Sequence, residues 1–203
     1  MFSILQAAGW PIWPLLAASI IAVALIIERS YALRAARVAP IGLIDSVIGD
    51  LRQGGINAPA LARLAGHSPL GQVLAAGLRD AQASSREAMN EAIEEAGRTV
   101  SHQLGHYLTT LGTIASISPL MGLFGTVIGM IEIFGSQSPA GANPQQLAHG
   151  ISVALYNTAF GLLIAIPSMI FYRHFRALVD SFIIDMEQQA VRLVEVVHGA
   201  RKS

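Results

Sequence analysis

Three stretches of this chain carry no Asp, Glu, Lys or Arg over a length that can cross a bilayer: Trp10 to Ile27, Tyr107 to Ile131 and Gly150 to Tyr172. A spanning helix takes about 20 mainly apolar residues at about 1.5 Å rise each, and every one of these windows reaches or approaches that length. A soluble chain of 203 residues lacks the volume to hide three such helices inside one core. Composition agrees, with 53% hydrophobic and only 13% charged residues against about 25% charged in a soluble domain. The chain reads as an all-α integral membrane protein with a substantial aqueous portion.

Charge placement orients it. Eight arginines, from Arg29 to Arg98, fall between the first and second spans, and the other five basic residues, Arg173, Arg176, Arg192, Arg201 and Lys202, follow the third. Basic residues accumulate on the cytoplasmic side, so the N-terminus is expected outside and the C-terminus inside. Trp10, Trp13 and Phe134 then fall near the outer interface and Tyr31, Tyr107 and Tyr172 near the inner one. The start MFSILQAAGW has no positive n-region, and the first span is expected to stay as an anchor. One domain, residues 1–203, is expected, with spans at about 10–30, 107–134 and 149–172. Segments 31–106 and 173–203 would then be cytoplasmic, and 1–9 and 135–148 would lie outside.

Short helices are expected in the inner segment. Ile41, Leu43, Ile44, Val47, Ile48 and Leu51 recur at helical spacing until Gly54-Gly55 stops them. Asn57 can cap a helix ending at Gly66, and Ser68-Pro69 can open another. Ser84 and Glu87 form a capping box before a helix that meets no proline until Pro119. From Ser85 to Phe134 it would run unbroken for roughly 75 Å, against a hydrocarbon thickness of about 30 Å. After the third span, Leu178, Phe182, Ile183, Met186, Ala190, Leu193 and Val197 keep helical spacing until Gly199. Two of the three spanning helices are therefore expected to extend into the cytoplasm as long helices.

Other chemistries lack their residues. Thirteen basic residues balance thirteen acidic ones, which leaves no basic footprint for nucleic acid. No cysteine is present, so disulfides, thiolate metal sites and thiol nucleophiles are excluded. His102 and His106 have metal-ligand spacing, but HQLGH lacks a catalytic Glu and a third ligand, and ordinary interfacial histidines are the expectation. No nucleophile–base set or phosphate loop is present, and neither enzyme activity nor a cofactor is expected.

The spans themselves are patterned. In the second, Ser118, Gly122, Gly125, Gly129 and Glu132 follow at spacings of four, three, four and three, on one helical face. In the third, Ala154, Thr158, Gly161, Ala165, Ser168 and Tyr172 share a face, with Asn157 beside Thr158. Small residues let membrane helices approach closely, so Gly122, Gly125, Gly129 and Gly161 are packing candidates. The same faces could line an internal cavity, and both readings stand at this point. Pro119 and Pro167 each remove a backbone bond and are kink candidates. Within the three windows there is no carboxylate; the nearest is Glu132, either a hydrated interfacial group or the outer mouth of a proton path.

The segments SPLMGLFGTVIGM and GISVALYNTAFGLLIAIPSMIFY resemble the paired signature of the MotA/TolQ/ExbB proton-channel subunits, nearest the ExbB branch. The resemblance covers the three-span plan and is most specific from Ile114 to Tyr172. It implies a bacterial inner-membrane homopentamer with a periplasmic N-terminus, enclosing the helix of an ExbD-like single-span protein that supplies an essential membrane Asp. It also implies a TonB-like protein that takes up the work for uptake across the outer membrane. A TolQ-like role or a non-conducting scaffold is the alternative. By position, the resemblance makes Thr126 and Thr158 the pore-facing hydroxyls, with Ser152 and Asn157 supplying further hydrogen bonds and water sites. The family pattern IAEAL reads ISVAL here, so Val153 stands where a Glu is usual.

Cysteines introduced singly at Ser138 and Ala83 should label from opposite sides of the inner membrane, Ser138 from the periplasm. Labelling of both from one side would overturn the three-span topology.

Overall fold

A computed structural model describes residues 9–53, 55–79, 85–135 and 144–199. Ser84, Gly54 and the labelling positions Ala83 and Ser138 lie outside the described residues, as do the side chains of His149 and Val153. The described residues form eight helices and no strand: α1 Ile12–Ala32, α2 Ala35–Val38, α3 Leu43–Arg52, α4 Ala58–His67, α5 Pro69–Leu78, α6 Arg86–Gly105, α7 Leu108–Gly135 and α8 Pro144–Gly199. Three of them, α1, α7 and α8, contain stretches long and apolar enough to cross a membrane. The 56 residues of α8 extend about 84 Å, far beyond a bilayer core. The all-α reading with long helices is borne out.

The chain divides into two compact units, one built from Met1–Glu28 and Tyr107–His174, the other from Arg29–His106 and Phe175–Ser203. In the first, Leu108, Leu111, Ala115, Ser118, Gly122 and Gly125 of α7 are buried, as are Ala154, Asn157, Gly161, Ile164, Ala165 and Ser168 of α8. Both sets repeat at three and four residues, so each is one stripe. Trp10 meets Phe124 edge to face at 6.1 Å between ring centres. The outward side chains stay apolar: Ile20 is 72% exposed and Leu163 67%. A surface of this kind calls for hydrocarbon or another protein against it.

In the second unit, α4 packs on α5 and α5 on α6. Leu70, Val73, Leu74 and Leu78 of α5 are buried, as are Met89, Val100 and Leu104 of α6. The distal part of α8 buries Phe175, Val179, Phe182, Met186, Ala190 and Leu193, while Leu178, Ile183 and Val197 are half-buried beside that stripe. Its Arg192 pairs with Asp45 of α3 at 2.8 Å, both half-exposed.

Local signals operate as expected at three caps. Asn57 Oδ1 accepts the Ala60 amide at 3.0 Å and Ser68 Oγ accepts the Gly71 amide at 3.0 Å, each ahead of a proline in the first turn. Gly55, at φ 90°, returns its amide to the Asp50 carbonyl and closes the end of α3. Ser85 caps α6 by accepting the Ala88 amide at 3.2 Å. The Glu87 carboxyl is held below the usual range by its own backbone amide and by the Ser85 hydroxyl, with smaller help from His198 and Arg86.

One expectation fails. The helix from Ser85 to Phe134 is not continuous: α6 stops at Gly105 and α7 starts at Leu108. Tyr107 between them takes φ 64°, a left-handed conformation that costs a non-glycine residue. A left-handed residue cannot continue the helix, and two carbonyls at the end of α6 are taken up from α1. Arg29, buried at 7% exposure, donates from Nη1 to the carbonyls of Leu104 at 3.3 Å and His106 at 3.1 Å.

Ser68→Ala should destabilise the second unit by about 1 kcal/mol, the usual worth of an N-cap, because its buried oxygen satisfies a first-turn amide. A thermal-melting midpoint unchanged from the parent protein would show that this cap contributes nothing.

Candidate functional site: the α7–α8 crossing

Glycine spacing on α7 and α8 becomes geometry where the two helices cross. A methyl group placed on Gly122 would stand 2.7 Å from the Asn157 carbonyl oxygen, 3.0 Å from the Thr158 Cα and 3.2 Å from the Gly161 Cα. One placed on Gly161 would stand 2.5 Å from the Ser118 carbonyl oxygen and 3.1 Å from the Gly122 Cα. These neighbours are backbone, which no rotamer change can clear. The helices touch main chain to main chain, as small residues permit in lipid. At Gly125 the neighbour is the Asn157 side chain, its Cβ and Cγ 2.8 Å from the added carbon, and at Gly129 it is the Ala154 Cβ at 3.3 Å.

The crossing therefore brings together Gly122, Gly125, Gly161, Asn157 and Thr158. Asn157 is 1% exposed and fills the notch that Gly125 leaves. Thr158, one residue on, is half-buried. Thr126 is half-buried beside Gly125, and its hydroxyl donates to the Leu123 carbonyl at 2.6 Å. Ser152 and Glu132 are exposed and are not drawn into the crossing; the Ser152 hydroxyl donates to the Ala148 carbonyl at 2.9 Å. Pro119 and Pro167 both lie inside helices that continue through them.

Two contacts were not read from the sequence. The Tyr172 ring lies over Gly112, its nearest carbon 3.0 Å from where a Cβ would be, and Ile133 packs against Gly150. The signal for Gly112 was available: Gly112, Ala115, Ser118 and Gly122 continue the same stripe at spacings of three, three and four.

A second concavity, of about 350 Å³, lies between α1 and α8 and is lined by Leu15, Ser19, Ile164, Pro167, Ser168 and apolar neighbours. Its lining is almost wholly apolar, and the Ser168 hydroxyl donates to the Ile164 carbonyl of its own helix at 2.7 Å. Such walls offer an ion little to replace its hydration.

The model of the MotA/TolQ/ExbB proton channel family matches residues 65–188. The ExbB-like 3 protein of Synechocystis sp. is 33% identical over 85% of this chain and 83% of its own length. The Tol-Pal system protein TolQ of Pseudomonas aeruginosa is 34% identical over 80% of this chain and 75% of its own. A shorter match, 50% identical, joins 34% of this chain to 31% of the biopolymer transport protein exbB1 of Vibrio cholerae.

Gly122→Ala and Gly161→Ala should each part α7 from α8 and lower the thermal-melting midpoint by several degrees, a cost of about 1–3 kcal/mol for overpacking. Gly129→Ala, whose added carbon meets the Ala154 Cβ at 3.3 Å and Cα at 3.6 Å, should cost less, and Gly135→Ala, with nothing within 4 Å, should be neutral. Equal midpoints for the Gly122 and Gly135 variants would contradict the backbone contact.

Proposed function

Because the chain belongs to the MotA/TolQ/ExbB proton channel family, we propose that it couples the proton motive force to TonB-dependent uptake across the outer membrane. In this reading it is the channel and stator subunit of an inner-membrane energy-transducing complex. The observation that carries the proposal is the α7–α8 crossing, where Thr126 and Thr158 lie beside a glycine stripe in windows, Tyr107 to Ile131 and Gly150 to Tyr172, that hold no carboxylate. Placement of all basic residues in two segments supports a periplasmic N-terminus and a cytoplasmic C-terminus. The exposed apolar faces of α1, α7 and α8 support a ring of copies, a homopentamer, around an ExbD-like single-span helix.

A proton relay through hydrocarbon needs a group that alternates between charged and neutral forms, because an ion crossing unaided costs about 2.5–3.5 kcal/mol even on insertion scales. Threonine does not titrate in the physiological range. Val153 occupies the position where the family pattern has Glu, so the titrating carboxylate is assigned to the partner's Asp. Thr126, Thr158, Ser152 and Asn157 supply hydrogen bonds and water sites around it. Glu132, exposed beyond the crossing, serves the outer mouth. A TonB-like protein then takes up the work.

A TolQ-like role is the second reading, favoured by the length of the Pseudomonas aeruginosa match. Expression with its own single-span partner in bacteria lacking either an ExbB-type or a TolQ-type subunit separates the two. Restored TonB-dependent uptake supports the first reading, and restored envelope integrity alone supports the second. In the rescued strain Thr126→Val and Thr158→Val should each lower uptake about tenfold, the equivalent of one lost hydrogen bond of about 1.4 kcal/mol, with assembly intact. Glu132→Gln should act less. If Glu132→Gln abolishes uptake while both threonine variants work normally, the partner-supplied carboxylate is wrong and Glu132 becomes the leading proton site.

A further inference from the structure

The break between α6 and α7 is held by a side chain that neither helix contains. In an unbroken α-helix the Leu104 carbonyl would accept the Leu108 amide and the His106 carbonyl the Thr110 amide, each four residues on. Here both carbonyls accept from Arg29 instead, at 3.3 and 3.1 Å. Arg29 reaches them from the last turn of α1, 75 and 77 residues away in sequence. The first amide of the new helix to find a main-chain carbonyl is Leu111, which donates to Tyr107 at 3.0 Å.

Three features make this joint a device. The guanidinium is planar and forked, so one group serves two carbonyls, which an ammonium cannot do with the same geometry. Its positive charge sits at the negative end of α6, where a cation is favoured. Tyr107 takes φ 64°, a strained conformation that persists only where its surroundings impose it. The local sequence pulls the other way: from Arg86 to Ser118 there is no proline, and the residues read as continuous helix.

We propose that Arg29 is a positioning residue, a two-carbonyl clamp that holds α6 and α7 as separate helices and thereby sets where α7, the helix bearing Thr126, begins. Releasing the clamp favours the continuous helix, in which Leu108, Thr109 and Thr110 amides recover intrahelical acceptors. The link from clamp to transport rests on the channel reading above, whereas the clamp itself does not.

The test uses the full-length protein in lipid nanodiscs, with amide hydrogen exchange read over residues 104–111 and uptake read in the rescued strain. In the parent protein the amides of 108–110 should exchange quickly. Arg29→Met keeps the apolar stem and removes the donors; exchange there should slow by about tenfold as the helix closes, and uptake should fall. Arg29→Lys, which keeps the charge and loses the fork, should give intermediate values and stands in if the Met variant does not fold. Adding Tyr107→Gly to Arg29→Met removes the cost of the left-handed residue, so the break should return, with fast exchange and recovered uptake. A role in general stability predicts no such rescue.

Unchanged exchange in both Arg29 variants, or faster exchange throughout the protein without rescue by Tyr107→Gly, overturns the clamp. Exchange that follows the expectation while uptake stays at the parent level in every variant overturns the positioning role and leaves the channel reading intact. Failure of the parent protein to restore uptake counts against the channel reading, and the exchange measurements then decide the clamp alone.

Discussion

Main-chain contact between α7 and α8 at Gly122 and Gly161 governs the membrane unit. In lipid there is no hydrophobic gain in bringing one apolar helix to another, so adhesion rests on dispersion at short range and falls away with the first ångström of separation. Glycine at both positions removes the side chains that would hold the axes apart. Other contacts of this unit go with that approach: Asn157 in the notch beside Gly125, Tyr172 over Gly112, and Thr158 beside Gly122. Apolar side chains that do not meet the partner helix point away, where lipid or further copies of the chain can cover them.

Several hydroxyl groups of α7 and α8 are bonded to their own helices. Thr126 donates to the carbonyl three residues back, and Ser152 and Ser168 to carbonyls four residues back. Such bonds satisfy the hydroxyl hydrogen in a medium without water, and they leave the oxygen lone pairs as acceptors. A row of acceptors with occupied hydrogens does not pass protons by itself. It can orient water or, in the function proposed above, receive an acid introduced by a partner helix.

How far the sequence could be read depended on the range of the interactions involved. Caps at Asn57 and Ser68 were legible because a cap is decided within four residues, and the helix opening near Ser84 was displaced by one position, to Ser85, since either serine offers the same oxygen. The glycine stripe was legible because helical spacing projects it onto one face without knowledge of the fold. Asn157 was placed beside the polar face but not recognised as the residue that fills the Gly125 notch, since spacing gives a direction and not a contact. The α6–α7 break was illegible for a stronger reason: its cause is a guanidinium 75 residues upstream, and local propensity there favours continuation. Where a long-range bond overrides a local preference, the local sequence reads wrongly.

Packing residues and the hydroxyls assigned to the proposed proton path are neighbours on these helices. Gly122 cannot change without moving the Thr158 backbone, and Asn157 cannot change without emptying or overfilling the Gly125 notch, so a loss of function at either position says nothing about protons. Threonine to valine is different in kind. It keeps the branched shape while deleting one hydroxyl, leaving the helix crossing as a constant against which the chemistry can be measured. Exposure strengthens the separation, because Thr126 and Thr158 are only half-buried and their flanks are open to whatever occupies the space beside α7 and α8. The glycines belong to an interface that this chain completes alone, and in the proposed function the hydroxyls face the partner.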